Sequence, residues 1–130
     1  MVFLIHTLVL QGTKGTRKAN RMADATQMLK GILDGCILAI IGEGEIYGYE
    51  LTQKLREYGF QSFSEGTIYP LLLRMQKEGL VTSTLRASTA GPKRKYYALS
   101  RAGEREVEAF KKRWSEVKQS VEKVLHEGGV

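Results

Sequence analysis

The sequence is poor in the residues that build cross-links and reactive centres. Its single cysteine, Cys36, lies inside an apolar helical run, which excludes an intramolecular disulfide and offers no metal-ligand spacing. A small core residue is the role left to it. The two histidines, His6 and His126, stand near opposite ends with no Cys or His beside them, so neither a zinc site nor a Ser/His/Asp arrangement is indicated. No nucleophile with its base, no paired carboxylates and no cofactor loop can be named. The expectation is therefore no enzyme, no catalytic residue, no metal and no cofactor. The lack of structural disulfides fits a reducing cytoplasm.

Long apolar runs are scarce as well. The opening MVFLIHTLVL is apolar for ten residues and then turns polar and basic in QGTKGTRKANR. Ten residues are too few to span a bilayer, and no positive region precedes them as a secretory signal requires. Three readings stay open for residues 1–22: an upstream leader with Met22 as the natural start, a strand-like arm that pairs with a partner, or a nonstandard membrane-targeting segment. Negative charge is the minority sign, with 14 acidic residues against 20 Lys and Arg and a formal charge of +6. That balance favours a polyanionic partner, provided the distribution agrees. A chain of 130 residues suits one domain with a modest core, to which dimerisation would add stability.

From about Ala25 to Ile41 the chain reads as a strongly apolar helix, with Met28, Leu29, Ile32, Leu33, Cys36, Ile37, Ile40 and Ile41 around much of its circumference. Gly42 and Gly44 end it. YGYELTQKLREY then places Gly48, Leu51, Leu55 and Tyr58 on one helical face, and Gly59 stops that helix. The next stretch, SEGTIYPLLLRMQKEGL, organises the chain. Ile68, Leu71, Leu72 and Met75 recur at helical spacing for burial, while Thr67, Pro70, Arg74 and Lys77 face the other way. Pro70 lacks an amide hydrogen, so the spacing predicts a regular start near Thr67 with an irregular turn at Tyr69. Ser64 and Thr67 are capping types, and free amides at a helix start favour a phosphate. Gly79 caps the end.

Two amphipathic helices joined by a short polar segment make a helix-turn-helix pattern, whose second helix enters the major groove. Leu80 to Arg86, the turn-like STAGPKR and the aromatic KYYAL then read as a hairpin with a basic tip. Such a hairpin after a helix-turn-helix is a wing, with Lys93, Arg94 and Lys95 available to phosphates and Tyr96 and Tyr97 alternating between exposed and packed faces. Ser100 caps a last helix running to about His126, along which Val107, Phe110, Trp114, Val117, Val121 and Val124 form a heptad seam. The seam needs a partner; a second copy of the chain is the first choice, and folding back on the first helix the other.

The runs LDGCILAIIGEGEIYGYELTQKL, SEGTIYPLLLRMQKEGLV and GPKRKYYALSRAGE together resemble the PadR family of bacterial winged-helix regulators. The resemblance covers about Gln27 to Leu125; residues before Met22 match no family feature. It implies a fold that is mainly α with a small β-hairpin wing (α+β): a winged helix-turn-helix over 23–99 and a C-terminal dimerisation helix over 100–127, as in the subfamily with one such helix. It implies a homodimer joined through its terminal helices, with Leu29, Leu33, Val107, Phe110, Trp114, Val117, Val121 and Val124 at the interface. The implied partner is a double-stranded operator with dyad symmetry, reached by Ser64, Gly66, Thr67, Tyr69, Pro70, Arg74 and Lys77 of the recognition segment and Lys93, Arg94 and Lys95 of the wing. The resemblance also implies a repressor, as most members are, often of neighbouring detoxification or efflux genes, and, as in many members, release of DNA on binding a small aromatic or amphipathic inducer, for which Trp114 and Phe110 are the implied lining. Packing is the ordinary role for both aromatics, and a surface ion pair is the alternative for Arg74. A winged-helix adaptor that binds protein and not specific DNA is the alternative function.

Overall fold

The apolar run of the first helix forms α1, Ile32–Glu43. In the computed structural model, which describes Leu29, residues 31–61 and residues 63–128, α1 begins directly after Gly31. Gly31, at φ 89°, takes the left-handed conformation that a right-handed helix cannot continue through. The expectations for residues 1–22, including Met22 and the basic run, and for the helix start near Ala25 and Met28 lie outside the described residues. Leu33–Val130 forms one unit. Ile37, Leu38 and Ile41 are fully buried in its core. Cys36 is half-buried, and burial pushes its thiol pKa up.

Helices α2, Gly48–Glu57, and α3, Glu65–Lys77, follow as the helix-turn-helix pair. Both end in the same way. The amides of Phe60 and Leu80 reach back to the carbonyls of Leu55 and Met75, at 2.8 and 2.9 Å, across Gly59 and Gly79 in the left-handed region. These are Schellman caps, which only the glycine makes cheap. Leu51 and Leu55 of α2 and Ile68, Leu72 and Met75 of α3 are buried together with Phe63 of the connection. Thr52, the buried polar side chain of α2, donates to the Gly48 carbonyl at 3.0 Å and so leaves no open donor.

The hairpin consists of β2, Val81–Ser88, and β3, Gly91–Leu99. A two-residue strand, β1, Ile46–Tyr47, adds to its other side, giving the antiparallel order β1-β3-β2. The strands are longer than the sequence reading gave them. The tip is Thr89 and Ala90, and Lys93, Arg94 and Lys95 belong to β3 itself. Helix α4, Arg101–Lys123, starts at Ser100, whose hydroxyl accepts from the Gly103 amide at 3.0 Å and donates to the Gly79 carbonyl at 2.6 Å. One side chain thus caps α4 and ties it to the end of α3. A π-helical turn, Val124–Gly128, continues the helix.

Candidate nucleic-acid interface

Helix α3 starts at Glu65, two residues before the predicted Thr67, and Pro70 lies inside it. The proline forfeits one hydrogen bond to the Gly66 carbonyl, but both residues are exposed and water can serve that carbonyl. Three buried apolar residues on the opposite face hold the helix regular through it. Ser64 takes the extended N-cap conformation, φ −101° and ψ 169°, yet its hydroxyl makes no cap hydrogen bond. The Thr67 amide donates to the Ser64 carbonyl at 3.0 Å, and the amides of Glu65 and Gly66 are left for solvent or an anion.

At about 100° per residue, Gly66, Pro70, Leu73 and Lys77 fall along the midline opposite the buried Ile68, Leu72 and Met75. All four are exposed. The flanks of this face are held by the chain itself. Tyr69 lies over Gly48, so closely that a Cβ there would meet its ring at 2.6 Å, and its hydroxyl pKa is raised by burial and then by Glu65 and Tyr47. On the other flank Arg74 pairs with Asp34 of α1 at 2.6 Å and with Glu78 at 3.0 Å, and those hydrogen bonds raise its pKa. The ion pair that stood as the alternative for Arg74 is formed. Thr67 is exposed beside it.

The register of the wing divides its cations. Ile46 and Ser83 pair with Tyr97, Leu85 pairs with Lys95, Tyr47 and Thr84 pair with Tyr96, and Arg86 pairs with Arg94. Side chains alternate across a strand, so Lys93 and Lys95 share the face of the buried Tyr97 while Arg94 takes the other with the half-buried Tyr96. The three do not form one basic cluster. Arg94 stacks over the Tyr47 ring at 4.6 Å. Arg86 lies over Tyr96 at 5.2 Å and pairs with Glu45 at 2.6 Å. Among the described residues, Lys77, Lys93 and Lys95 form no ion pair. They are the cations of α3 and β3 that remain for a partner.

Along α4 the seam splits in two. Gly103, Val107 and Phe110 serve the chain's own fold: Val107 is buried, and the Phe110 ring packs directly on Gly35 of α1. Leu33 is likewise buried within the protomer, so this residue and Val107, both expected at a dimer interface, lie in its core. Leu29 is half-buried. Beyond Phe110 every residue to His126 is exposed, including Trp114, Val117, Val121, Val124 and Leu125. An open groove of about 430 Å³ runs between α1 and α4, where Ala39, Leu99 and Val107 meet Glu43, Glu104 and the Glu108–Lys111 ion pair. No helix among the described residues is long and apolar enough to cross a membrane, and no group of His, Cys, Asp and Glu there could hold a metal ion.

Two packed helices followed by an antiparallel hairpin, with the second helix presenting an unpaired face, define a winged helix-turn-helix protein. Residues 37–109 match the family described as the transcriptional regulator PadR-like family, and the chain belongs to it. It is similar to a PadR-like transcriptional regulator of Bacillus cereus at 56% identity, whose crystal structure aligns over 77% of this chain and 97% of that one with a TM-score of 0.71. An uncharacterised protein of Lysinibacillus sphaericus is 31% identical over 75% of this chain and 91% of its own length. PadR of Bacillus subtilis, solved in complex with operator DNA, is 28% identical over 61% of this chain and 46% of that one, with a TM-score of 0.56.

Reasoning from sequence alone missed β1, the Asp34 partner of Arg74, the stacking of Arg94 and the exposure of Leu73. Only Leu73 had a local signal. The spacing 66, 70, 73, 77 is as helical as that of the buried face.

Proposed function

We propose that the protein is a cytoplasmic, homodimeric and ligand-responsive repressor, not an enzyme, that binds an operator with dyad symmetry and acts on nearby detoxification, efflux or stress genes. The observation that carries the DNA reading is the state of α3: anchored on its buried side and both flanks, it still leaves Gly66, Thr67, Pro70, Leu73 and Lys77 exposed behind an uncapped helix start. The two α3 helices enter successive major grooves about 34 Å apart. The amides after Ser64, with Lys77, Lys93 and Lys95, bind phosphates, which supply most of the affinity and its salt dependence. Tyr69 and Arg74 set the position of α3, and Arg94 that of the wing.

Dimerisation is supported by the stripe of α4, Trp114, Val117, Val121 and Val124, which stays exposed among the described residues. An isolated helix of this kind is marginal in water, and a second copy covers it. An inducer seated against Trp114 changes the angle between protomers. A route to α3 is at hand: Phe110 packs on Gly35, next to the Asp34 that holds Arg74. That inducer is a small aromatic or amphipathic compound. A coupling of about 1–3 kcal/mol gives regulation of about 5- to 150-fold.

Fluorescence anisotropy on the DNA upstream of its own gene, against scrambled DNA and at several salt concentrations, tests the reading. Tight, salt-steep and sequence-selective binding supports it. Weak and equal binding to both DNAs refutes it for this DNA and turns attention to a protein partner.

A further inference from the structure

We infer that Leu73 reads the 5-methyl group of a thymine in each operator half-site, which makes it a specificity-determining residue on α3. The inference rests on the DNA-binding reading above and deepens it. Single exposed leucines are ordinary on protein surfaces. This one is distinguished by its place. Leu73 is 52% exposed at the middle of the presented midline, although the same helix buries Ile68, Leu72 and Met75 almost completely on the other side. Its neighbours on that midline, Gly66 and Pro70, have no side-chain donor or acceptor. The polar side chains that could form base-edge hydrogen bonds are displaced from the centre. Tyr69 leans over Gly48, and Arg74 is drawn to Asp34 and Glu78. Lys77 lies one turn further along, with Thr67 on the flank.

A face with this make-up cannot read the centre of its contact by hydrogen bonds. Among the groups that unmodified bases present in the major groove, the thymine methyl is the distinctive apolar one. An isobutyl side chain in the middle of the helix covers such a methyl from water, and the cationic Lys77 beside it binds backbone phosphate. The centre of each half-site is therefore selected by an apolar contact, flanked by positions that carry charge.

The test begins with enrichment of binding sites from a random-sequence duplex pool by the full chain. On the enriched operator, each thymine is replaced by deoxyuridine, which removes the methyl and keeps base pairing. Anisotropy is then measured for the wild type, Leu73→Ala and Leu73→Met. The expected result is one thymine per half-site whose demethylation weakens the wild type about fourfold, the worth of one buried methyl. Leu73→Ala binds the two forms of that site equally, Leu73→Met retains part of the difference, and thymines elsewhere behave alike in all three proteins. Circular dichroism of Leu73→Ala matching the wild type excludes a folding effect, as the exposure of the residue leads one to expect. An enriched operator with no thymine whose methyl effect depends on Leu73 overturns the proposal and leaves the DNA reading intact. If no sequence is enriched, sequence-specific DNA binding fails, and the proposal with it.

Discussion

Lys93→Ala and Arg94→Ala, adjacent substitutions that each remove one positive charge, are expected to fail in different assays. Lys93 is exposed and unpaired among the described residues, on the strand face shared with Lys95. If each protomer of the proposed dimer places this lysine on one phosphate, two contacts are lost when it is truncated. The slope of log K against log salt then falls by about 1.8, from about 0.9 per phosphate. Between 50 and 200 mM salt each lost contact removes a factor of about 3.5, so the variant's affinity declines by about 12-fold less than the wild type's. Arg94 instead stacks on Tyr47 at 4.6 Å, and Tyr47 belongs to the strand that closes the sheet against β3. Its removal costs about 0.5–1 kcal/mol of stability, the worth of an exposed cation–π contact. For a chain of this size that is about 2–6 °C in Tm. Anisotropy at four salt concentrations and thermal unfolding by circular dichroism, run on both variants, give the slope and the Tm. Equal slopes for the two variants, with Tm unchanged in both, would refute the division of the wing into a DNA face and a bracing face.

Arg74→Ala is expected to lower affinity for operator and scrambled DNA in similar proportion, because it frees α3 from Asp34 and does not remove a base contact; a changed ranking of operator variants in competition would show that Arg74 reads bases. Gly103→Ala places a Cβ against the Leu80 carbonyl, backbone against backbone, and should cost about 1–3 kcal/mol, read as a lower urea midpoint at unchanged m. In the exposed stripe, Val117→Glu with Val121→Glu should convert the sedimenting dimer to monomer, whereas Trp114→Ala should keep the dimer and weaken a planar cationic dye at least about tenfold, the loss of roughly 1.4 kcal/mol of stacking. A dye affinity untouched by Trp114→Ala removes that residue from the proposed inducer site.

The features that could be read from sequence are those whose cause is local. The buried face of α3 is written in the spacing of Ile68, Leu72 and Met75, and the ends of α2 and α3 in Gly59 and Gly79, because both are settled within one or two turns of chain. The cap at Ser100 is of the same kind. What escaped was set by pairing across the fold. Ile46–Tyr47 is a strand only because β3, some fifty residues later, offers it a free edge, and two residues carry no periodicity of their own. The same edge strand supplies Tyr47 to Arg94, so a residue that looks like a free wing cation in sequence becomes part of the sheet. Asp34 and Arg74 are forty positions apart, and neither betrays the other. The consequence for function is specific. In a basic protein, counting Lys and Arg overestimates the charge available to DNA, because arginine forms the planar and stacked contacts that hold elements together while lysine remains solvated. Among the described residues, Arg74, Arg86 and Arg94 are all engaged, and Lys77, Lys93 and Lys95 form no ion pair. Exchanging the three lysines for glutamine is therefore expected to strip most of the salt dependence of binding and leave the fold, whereas exchanging the three arginines loosens α3 and the wing first and weakens binding only as a result.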